Sequence, residues 1–370
     1  MELTIENLNT LGLSDYAIYD MRTSVEYNSG HIPGAILDTE QKILSDPPKG
    51  KKVIVYCKKG ELSKGVAQNL AEQGVYACHL VGGYIAWLLS KISENEKTEQ
   101  DIEESIRTKF KRTIFSPFTK GITTYKLISE GDKIAVCISG GKDSMLMAKL
   151  FAELKRHDKF PFEIEYLVMD PGYAPENRQL ILHNARKMGI PITIFDTDIF
   201  KSVENVPKNA CYLCARMRRG HLYKKAKELG CNKIALGHHY DDVIETILMG
   251  MLWGAQIQTM MPKLKSDNYE GMELIRPMYL IREQAIKRFR DYHELHFLNC
   301  ACRFTDTCGP DGCMPSKRFE VKNLIADMKK QNPNVEKHIF KSVENVHLNA
   351  IIAYKQGEEK FHFLDGYRES

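Results

Sequence analysis

The fold is decided by Lys133-Ile134-Ala135-Val136-Cys137-Ile138-Ser139-Gly140-Gly141-Lys142-Asp143-Ser144. The apolar run Ile134 to Ile138 reads as a strand, and Asp143 to Leu154 carries a helical pattern. Between them lie two glycines, which let the backbone turn tightly and bring its N–H groups against one anion. The N-terminus of the following helix adds partial positive charge. Ser139 and Ser144 supply hydroxyls, and Lys142 supplies a full positive charge. The stretch predicts a phosphate-binding loop made of Ser139, Gly140, Gly141, Lys142, Asp143 and Ser144. An ordinary turn with a polar cap is the plainer alternative, but position, composition and context argue together against it.

Downstream the alternation continues. Strands are expected at Glu163 to Met169, Pro191 to Phe195 and Lys233 to Leu236, and helices at Arg178 to Lys187, Arg218 to Leu229 and Val243 to Trp253. Strands alternating with helices imply an α/β fold with a doubly wound, mostly parallel sheet. Asp170, after the second strand, and Gly237 and His238, after the last, are counted with the nucleotide-binding residues. Asp241 and Asp242 then open a helix. Adjacent carboxylates beside a phosphate site suit Mg²⁺ binding or orientation of an attacking oxygen; helix capping is the alternative for either residue.

Upstream, residues 1–90 form a separate α/β block. Lys52-Val53-Ile54-Val55-Tyr56 reads as a buried strand ending at Cys57, and Cys57-Lys58-Lys59-Gly60-Glu61-Leu62-Ser63 opens a helix. Such a loop curls successive N–H groups inward, a nest that stabilises a thiolate or persulfide anion. Residues 91–105 are polar and acid-rich and read as a linker merging into a helix that runs towards Phe118. Residues 106–370 make the second domain.

Composition bounds the rest. With 370 residues, 43% hydrophobic and 27% charged, the chain has room for two or three packed domains. The net charge of +4 confines any nucleic-acid surface to local patches. Two basic stretches qualify, Arg107 to Lys120 and Arg216 to Lys225, with a solvated helix face as the alternative for each. The most apolar stretch, Val243 to Met261, contains Glu245, Thr246, Gln256 and Gln258 and reads as a buried helix. Without a signal-like start, a soluble cytoplasmic protein with no membrane partner is expected. The ten cysteines then favour metal or redox chemistry over disulfides. Cys211-Tyr212-Leu213-Cys214 has metal-pair spacing, and Cys300, Cys302, Cys308 and Cys313 form a second group. Cys78, Cys137 and Cys231 read as core residues. An octapeptide, Ile199 to Val206, recurs at Ile339 to Val346 without a fixed period.

These motifs carry a family resemblance. Ser139 to Ser144 resembles the pyrophosphate (PP) loop of the N-type ATP pyrophosphatases, which split ATP between the α- and β-phosphates. Together with Ala235 to Thr246, Met261-Pro262-Lys263-Leu264 and Ile275-Arg276-Pro277-Met278, residues 105–350 resemble the tRNA 2-thiocytidine synthetase family. That resemblance implies an adenine-nucleotide α-hydrolase-like sheet, ATP and Mg²⁺ as cofactors, and tRNA as partner. It also implies a [4Fe–4S] cluster on Cys211, Cys214 and either Cys300 or Cys302, with one iron open to hydrosulfide. A structural zinc site is the alternative use of these thiols, and Cys308 and Cys313 are additions to the pattern. Residues 1–90, with Asp20-Met21-Arg22, Gly30-His31-Ile32-Pro33-Gly34-Ala35 and Gly82-Gly83-Tyr84, resemble a rhodanese domain. This implies a Cys57 persulfide loaded by a persulfide donor such as a cysteine desulfurase. Leu62 stands where the family commonly has arginine, which bears on thiosulfate more than on persulfide. A homodimer is plausible by the same resemblance. The expected activity is thiolation of cytidine in an anticodon loop, with Cys57, Lys142, Asp241 and Asp242 as catalytic residues. A uridine thiolase, a sulfurtransferase for a small molecule or carrier protein, and a metal or redox sensor are the alternatives.

Overall fold

Two parallel sheets realise the alternation read from the sequence. The computed structural model describes residues 1–370 except 13–14, 93–97, 158–159, 174, 204–209, 298–316 and 368–370. The chain divides into two compact units, Met1–His239 with Pro262–Cys313, and Tyr240–Met261 with Met314–Ser370.

The N-terminal part of the first unit runs β1 (Glu2–Leu3), α1 (Ile5–Thr10), β2 (Tyr16–Asp20), α2 (Ser24–Ser29), β3 (Ile36–Leu37), β4 (Lys52–Tyr56), α3 (Glu61–Glu72), β5 (Ala77–Leu80) and α4 (Gly83–Ile92). Its five strands are parallel in the order β1-β5-β4-β2-β3. β4 is central and apolar on both faces, which is why Val53, Ile54, Val55 and Tyr56 are all fully buried.

Next come α5 (Glu99–Arg107), a π-helical turn at Lys111–Phe115, and α6 (Ser116–Thr124). The helix expected to run on to Phe118 is therefore broken. Thr108 leaves helical geometry at φ −113°, and Pro117 starts α6 where its missing N–H costs nothing. Thr98 caps α5 with Asp101 in a reciprocal capping box.

The second sheet uses β6 (Lys133–Ile138), α7 (Lys142–Arg156), β7 (Glu163–Asp170), α8 (Pro175–Lys187), β8 (Ile192–Asp196), α9 (Ile199–Val203), α10 (Ala210–Glu228) and β9 (Lys233–Ala235). After α11 (Tyr240–Gly254), it is completed by β10 (Lys263–Lys265) and β11 (Glu273–Ile275), followed by α12 (Glu283–Tyr292). The order is β10-β11-β9-β6-β7-β8, parallel except for β10. From β6 the chain steps outward to β7 and β8, then returns to place β9 on the other side of β6. That reversal is a topological switch point, where open α/β sheets leave a crevice at their carboxyl ends. Met145, Met147, Leu150 and Phe151 of α7 pack in the core against Phe118, Ile134 and Val136.

Cys137 and Cys231 are small core residues, as expected. Burial pushes the Cys137 thiol up to about 12 and the Cys231 thiol up to about 11, so both stay protonated at neutral pH.

The second unit packs α11 against α13 (Lys317–Gln331) and α14 (Val335–Ser342), followed by the hairpin β12 (Ala353–Gln356) and β13 (Glu359–His362). The hairpin was not expected. The repeated octapeptide places one Ile-Phe pair in each short helix, and Ile199, Phe200, Ile339 and Phe340 are all buried. The expectation of a buried helix over Val243 to Met261 needs correction. Val243, Ile244 and Ile247 are buried, but Met251, Leu252, Trp253, Ile257 and Met261 are exposed. No helix among the described residues is long and apolar enough to cross a membrane.

Candidate active site

Cys57 follows β4 directly, and its Sγ accepts N–H groups from Gly60 at 3.2 Å and Ser63 at 3.4 Å. The curl requires glycine, since Gly60 sits at φ +94° and a Cβ there would fall 2.9 Å from the Leu80 carbonyl. Tyr84 N–H donates to the Cys57 carbonyl at 2.9 Å, and Ile85 N–H to that of Lys58 at 3.2 Å, so the start of α4 braces the loop. Lys58 stands 4.0 Å from Glu26, and Leu62 points outward, half exposed.

The Asp20-Met21-Arg22 motif frames this cradle. Arg22 holds Asp20 through Nε at 2.9 Å and Nη2 at 2.6 Å, and Tyr56 donates its hydroxyl to the same carboxylate at 2.6 Å. Both charges are buried, so their pairing is obligatory. Arg22 Nη2 also reaches the Gly30 carbonyl at 2.7 Å, and the guanidinium lies 3.6 Å over the Tyr84 ring.

At the carboxyl end of β6 the glycine loop turns with Gly140 at φ +81°. Ser144 Oγ accepts from Ser139 N–H at 3.1 Å and donates to the Gly141 carbonyl at 3.1 Å, closing the loop on itself. Lys142 Nζ lies 3.0 Å from Asp143 and 3.3 Å from Glu283 at the start of α12. Gly237, after β9, sits against this loop. A Cβ on Gly237 would come within 3.1 Å of Ser144 N and Cα. His239 Nε2 is 3.8 Å from Asp143.

Asp170 ends β7 beside the loop. Its Oδ1 accepts N–H groups from Gly172 at 2.9 Å and Tyr173 at 2.6 Å, and its Oδ2 holds Arg178 at 2.9 Å. The carboxylate thus builds the turn that carries Tyr173, whose hydroxyl donates to the Ser139 carbonyl at 3.4 Å. Arg218 of α10 donates to that hydroxyl at 2.9 Å. Arg218 therefore belongs to the wall of the site, while Arg216, Arg219 and Lys224 remain a solvated face. Lys109, Lys111, Arg112 and Lys120 are likewise exposed.

Ser139 to Ser144, Asp170, Gly237 and His238 therefore come together around β6 and its neighbours. Sequence reasoning missed Glu283, Tyr173 and Arg218, and no local motif marks them. Asp241 and Asp242 lie in the first turn of α11, within the second unit. There Asp242 Oδ1 accepts from Arg318 at 2.6 Å, and Arg318 stands 3.5 Å from Glu245. Cys211 and Cys214 are three residues apart in the sequence of α10. Cys214 is buried in the main core. Cys300, Cys302, Cys308 and Cys313 lie outside the described residues.

A glycine–lysine phosphate loop at a switch point, with a cysteine nest on a second parallel sheet, defines a PP-loop protein joined to a rhodanese-like module. The PP-loop domain family matches residues 104–302 and the rhodanese-like domain family residues 5–90. The tRNA-cytidine(32) 2-sulfurtransferase of Alcanivorax borkumensis is 37% identical over 233 residues, covering 61% of this chain and 78% of the relative. The protein of that name from Aliivibrio fischeri is 34% identical over 258 residues, covering 69% and 80%. A solved U34-tRNA thiolase from Methanococcus maripaludis is 22% identical, with a TM-score of 0.49, over 69% of this chain and 81% of that one. The chain belongs to the tRNA-cytidine(32) 2-sulfurtransferase family.

Proposed function

We propose that this protein uses ATP to replace a cytidine oxygen in a tRNA anticodon loop with sulfur. The observation that carries the reading is the Ser139–Ser144 loop, closed on itself and bearing Lys142 at the switch point. Its N–H groups and Lys142 would hold the ATP phosphates, which take the place of Asp143 and Glu283 as partners of Lys142. The base oxygen attacks the α-phosphate and pyrophosphate leaves. Hydrosulfide then attacks the ring carbon that bears the activated oxygen, the C–O bond breaks, and the oxygen departs with AMP. Preorganised donors at the phosphates stabilise the charge that develops there. Mg²⁺ is assigned to Asp241 and Asp242, so metal binding competes with Arg318 for Asp242.

Sulfur arrives at Cys57. Its thiolate attacks the outer sulfur of a donor persulfide, and the donor leaves as a thiolate. A thiol reductant then attacks Cys57 Sγ, the S–S bond breaks, and hydrosulfide leaves with the electron pair. A second thiol frees Cys57 as the reductant's disulfide forms. The Gly60 and Ser63 N–H groups support the anionic sulfur throughout.

Cysteine is a soft ligand suited to an iron–sulfur cluster, and the spacing of Cys211 and Cys214 on α10 supports them, with Cys300 or Cys302, as its proposed ligands. When bound, the cluster would supply an open iron with affinity for sulfide. Arg216 and Arg219 are proposed to meet the tRNA backbone. A cytoplasmic homodimer is proposed, and the exposed apolar end of α11 offers a surface for it.

The test is nucleoside mass spectrometry of tRNA after incubation with ATP and a persulfide donor. 2-Thiocytidine with matching AMP and pyrophosphate is expected. 2-Thiouridine would reassign the base, and absence of any thionucleoside would overturn the reading. Full persulfide-driven turnover in Cys57→Ser would remove the relay.

A further inference from the structure

The rhodanese-like module and the ATP-binding part share a surface whose details say where sulfur leaves Cys57. Leu180 of α8, only 2% exposed, belongs to the same apolar cluster as Tyr84, Trp87 and Leu88 of the N-terminal module. Beside that contact lies a small cavity of about 30 Å³, lined by Glu26, Gly30, Tyr84, Lys142, Arg290 and His296 among others. Three of these residues come from the rhodanese-like module, and one is the lysine of the nucleotide loop. Tyr84 is the residue whose backbone N–H holds the Cys57 carbonyl, and Glu26 is the neighbour of Lys58. The cavity therefore joins the module that carries Cys57 to Lys142 of the nucleotide loop.

Size and charge both select its occupant. One water takes about 10–15 Å³ of such space, so a hydrosulfide fits and a nucleotide base does not. Lys142 and Arg290 bring two cations to the walls beside Glu26, while their carboxylate partners Asp143, Glu283 and Asp291 are not among the lining residues. The pKa of His296 is lowered, first by burial and then by Lys187 and Arg290. Glu294 and Asp291 oppose them, so it is the two cations of the wall, Lys142 and Arg290, that favour a small anion.

We propose that Cys57 delivers its sulfur to the nucleotide loop of its own chain, through the small cationic cavity between Tyr84 and Lys142. The inference rests on the reading that Cys57 relays sulfur and Lys142 binds ATP. Hydrosulfide released at Cys57 crosses the cavity as an anion, with no bond made or broken on the way.

The test co-expresses two differently tagged full-length chains, Cys57→Ser and Lys142→Ala, and purifies the species that carries both tags. Each variant alone is expected to lose persulfide-driven tRNA thiolation. Delivery within one chain predicts that the mixed species stays at the level of the inactive parents, below about a tenth of wild type. Recovery to roughly a quarter to a half of wild type would overturn the proposal, because an intact Cys57 would then serve an intact Lys142 on another chain. Failure of the underlying reading looks different, since Cys57→Ser or Lys142→Ala would then be active alone. If no doubly tagged species forms and wild type is monomeric and active, delivery is within one chain. Cys57→Ala, tested in parallel, checks that the outcome does not depend on the serine hydroxyl.

Discussion

Gly237→Ala tests whether the β9 loop and the nucleotide loop are built against each other. Gly237 does not have a positive φ, so alanine suits its backbone and only the added methyl matters. That carbon would stand 3.1 Å from Ser144 N, 3.1 Å from Ser144 Cα and 3.2 Å from the Asp143 carbonyl carbon. All three are backbone atoms and cannot rotate away. The nucleotide loop must retreat by a few tenths of an ångström, and Ser144 also carries the bonds to Ser139 and Gly141. Overpacking of this kind costs about 1–3 kcal/mol. If the loop yields, the cost falls on nucleotide binding, and ATP affinity drops about 5- to 150-fold. If α7 yields instead, the same amount is lost from stability. Calorimetric titration with ATP and urea unfolding, run on one preparation, read both. Gly220→Ala is the control, because its methyl meets nothing within 4 Å and a helix interior gains roughly 0.5–1 kcal/mol from alanine. Wild-type ATP affinity together with wild-type stability in Gly237→Ala would refute the packing argument.

Three further perturbations address the frame around the site. Lys233 is buried, pairs with Asp132 at 2.6 Å and donates to the Leu127 carbonyl at 2.9 Å. Lys233→Met should cost about 3–5 kcal/mol in urea unfolding, because it strands a buried carboxylate; a loss below about 1 kcal/mol would show that Asp132 finds water. Cys137 and Cys231, their thiols pushed up to about 12 and about 11 by burial, should resist iodoacetamide at pH 8 in the native state, and peptide mapping that finds either labelled before unfolding would contradict this. His79 has its pKa lowered chiefly by burial, so the unfolded chain takes up the proton first as pH falls. Its contribution is complete above the unfolded imidazole value of about 6.5 and declines as pH drops through it. The stability of His79→Gln should therefore fall less than that of wild type between pH 7.5 and 5.5, and equal slopes would dismiss the role.

The parts of this protein legible in the sequence are those whose physics is local. β4 and β6 announce themselves as apolar runs, and the turns after them need glycine for reasons visible within six residues. The residues that went unread act across the chain. Glu283 reaches Lys142 from a segment about 140 residues later, and nothing in an ordinary first-turn glutamate signals this. Arg218 looked like one charge in a basic helix face, yet it turns inward to Tyr173. Helix α10 begins at Ala210 rather than near Arg218. Cys211-Tyr212-Leu213-Cys214 lies at its start, where metal-pair spacing carries no information about conformation. Asp170 is expected among the nucleotide-binding residues from its place after a strand, and what the sequence does not show is that its carboxylate makes the turn on which Tyr173 stands. The hairpin at Ala353–His362 carries no Asn-Gly or Asp-Gly signature.

On the proposed relay, joining a sulfur carrier to the enzyme that consumes the sulfur changes the concentration at which the two meet. Only residues 93–97 separate the end of α4 from the Thr98 cap of α5. A short tether of that kind gives an effective concentration on the order of millimolar, far above that of a typical free carrier protein. The buried Leu180 contact goes further, because it packs α8 of the ATP-binding part against the rhodanese-like module. The docked contact also bears on loss of sulfide. A hydrosulfide freed into bulk water is diluted at once, whereas on the proposed route one freed into a cavity of about 30 Å³ beside Lys142 and Arg290 would be held by charge next to the nucleotide loop. Fusion and cavity thus act on the same step, the first by fixing where the carrier is and the second by fixing where its product goes.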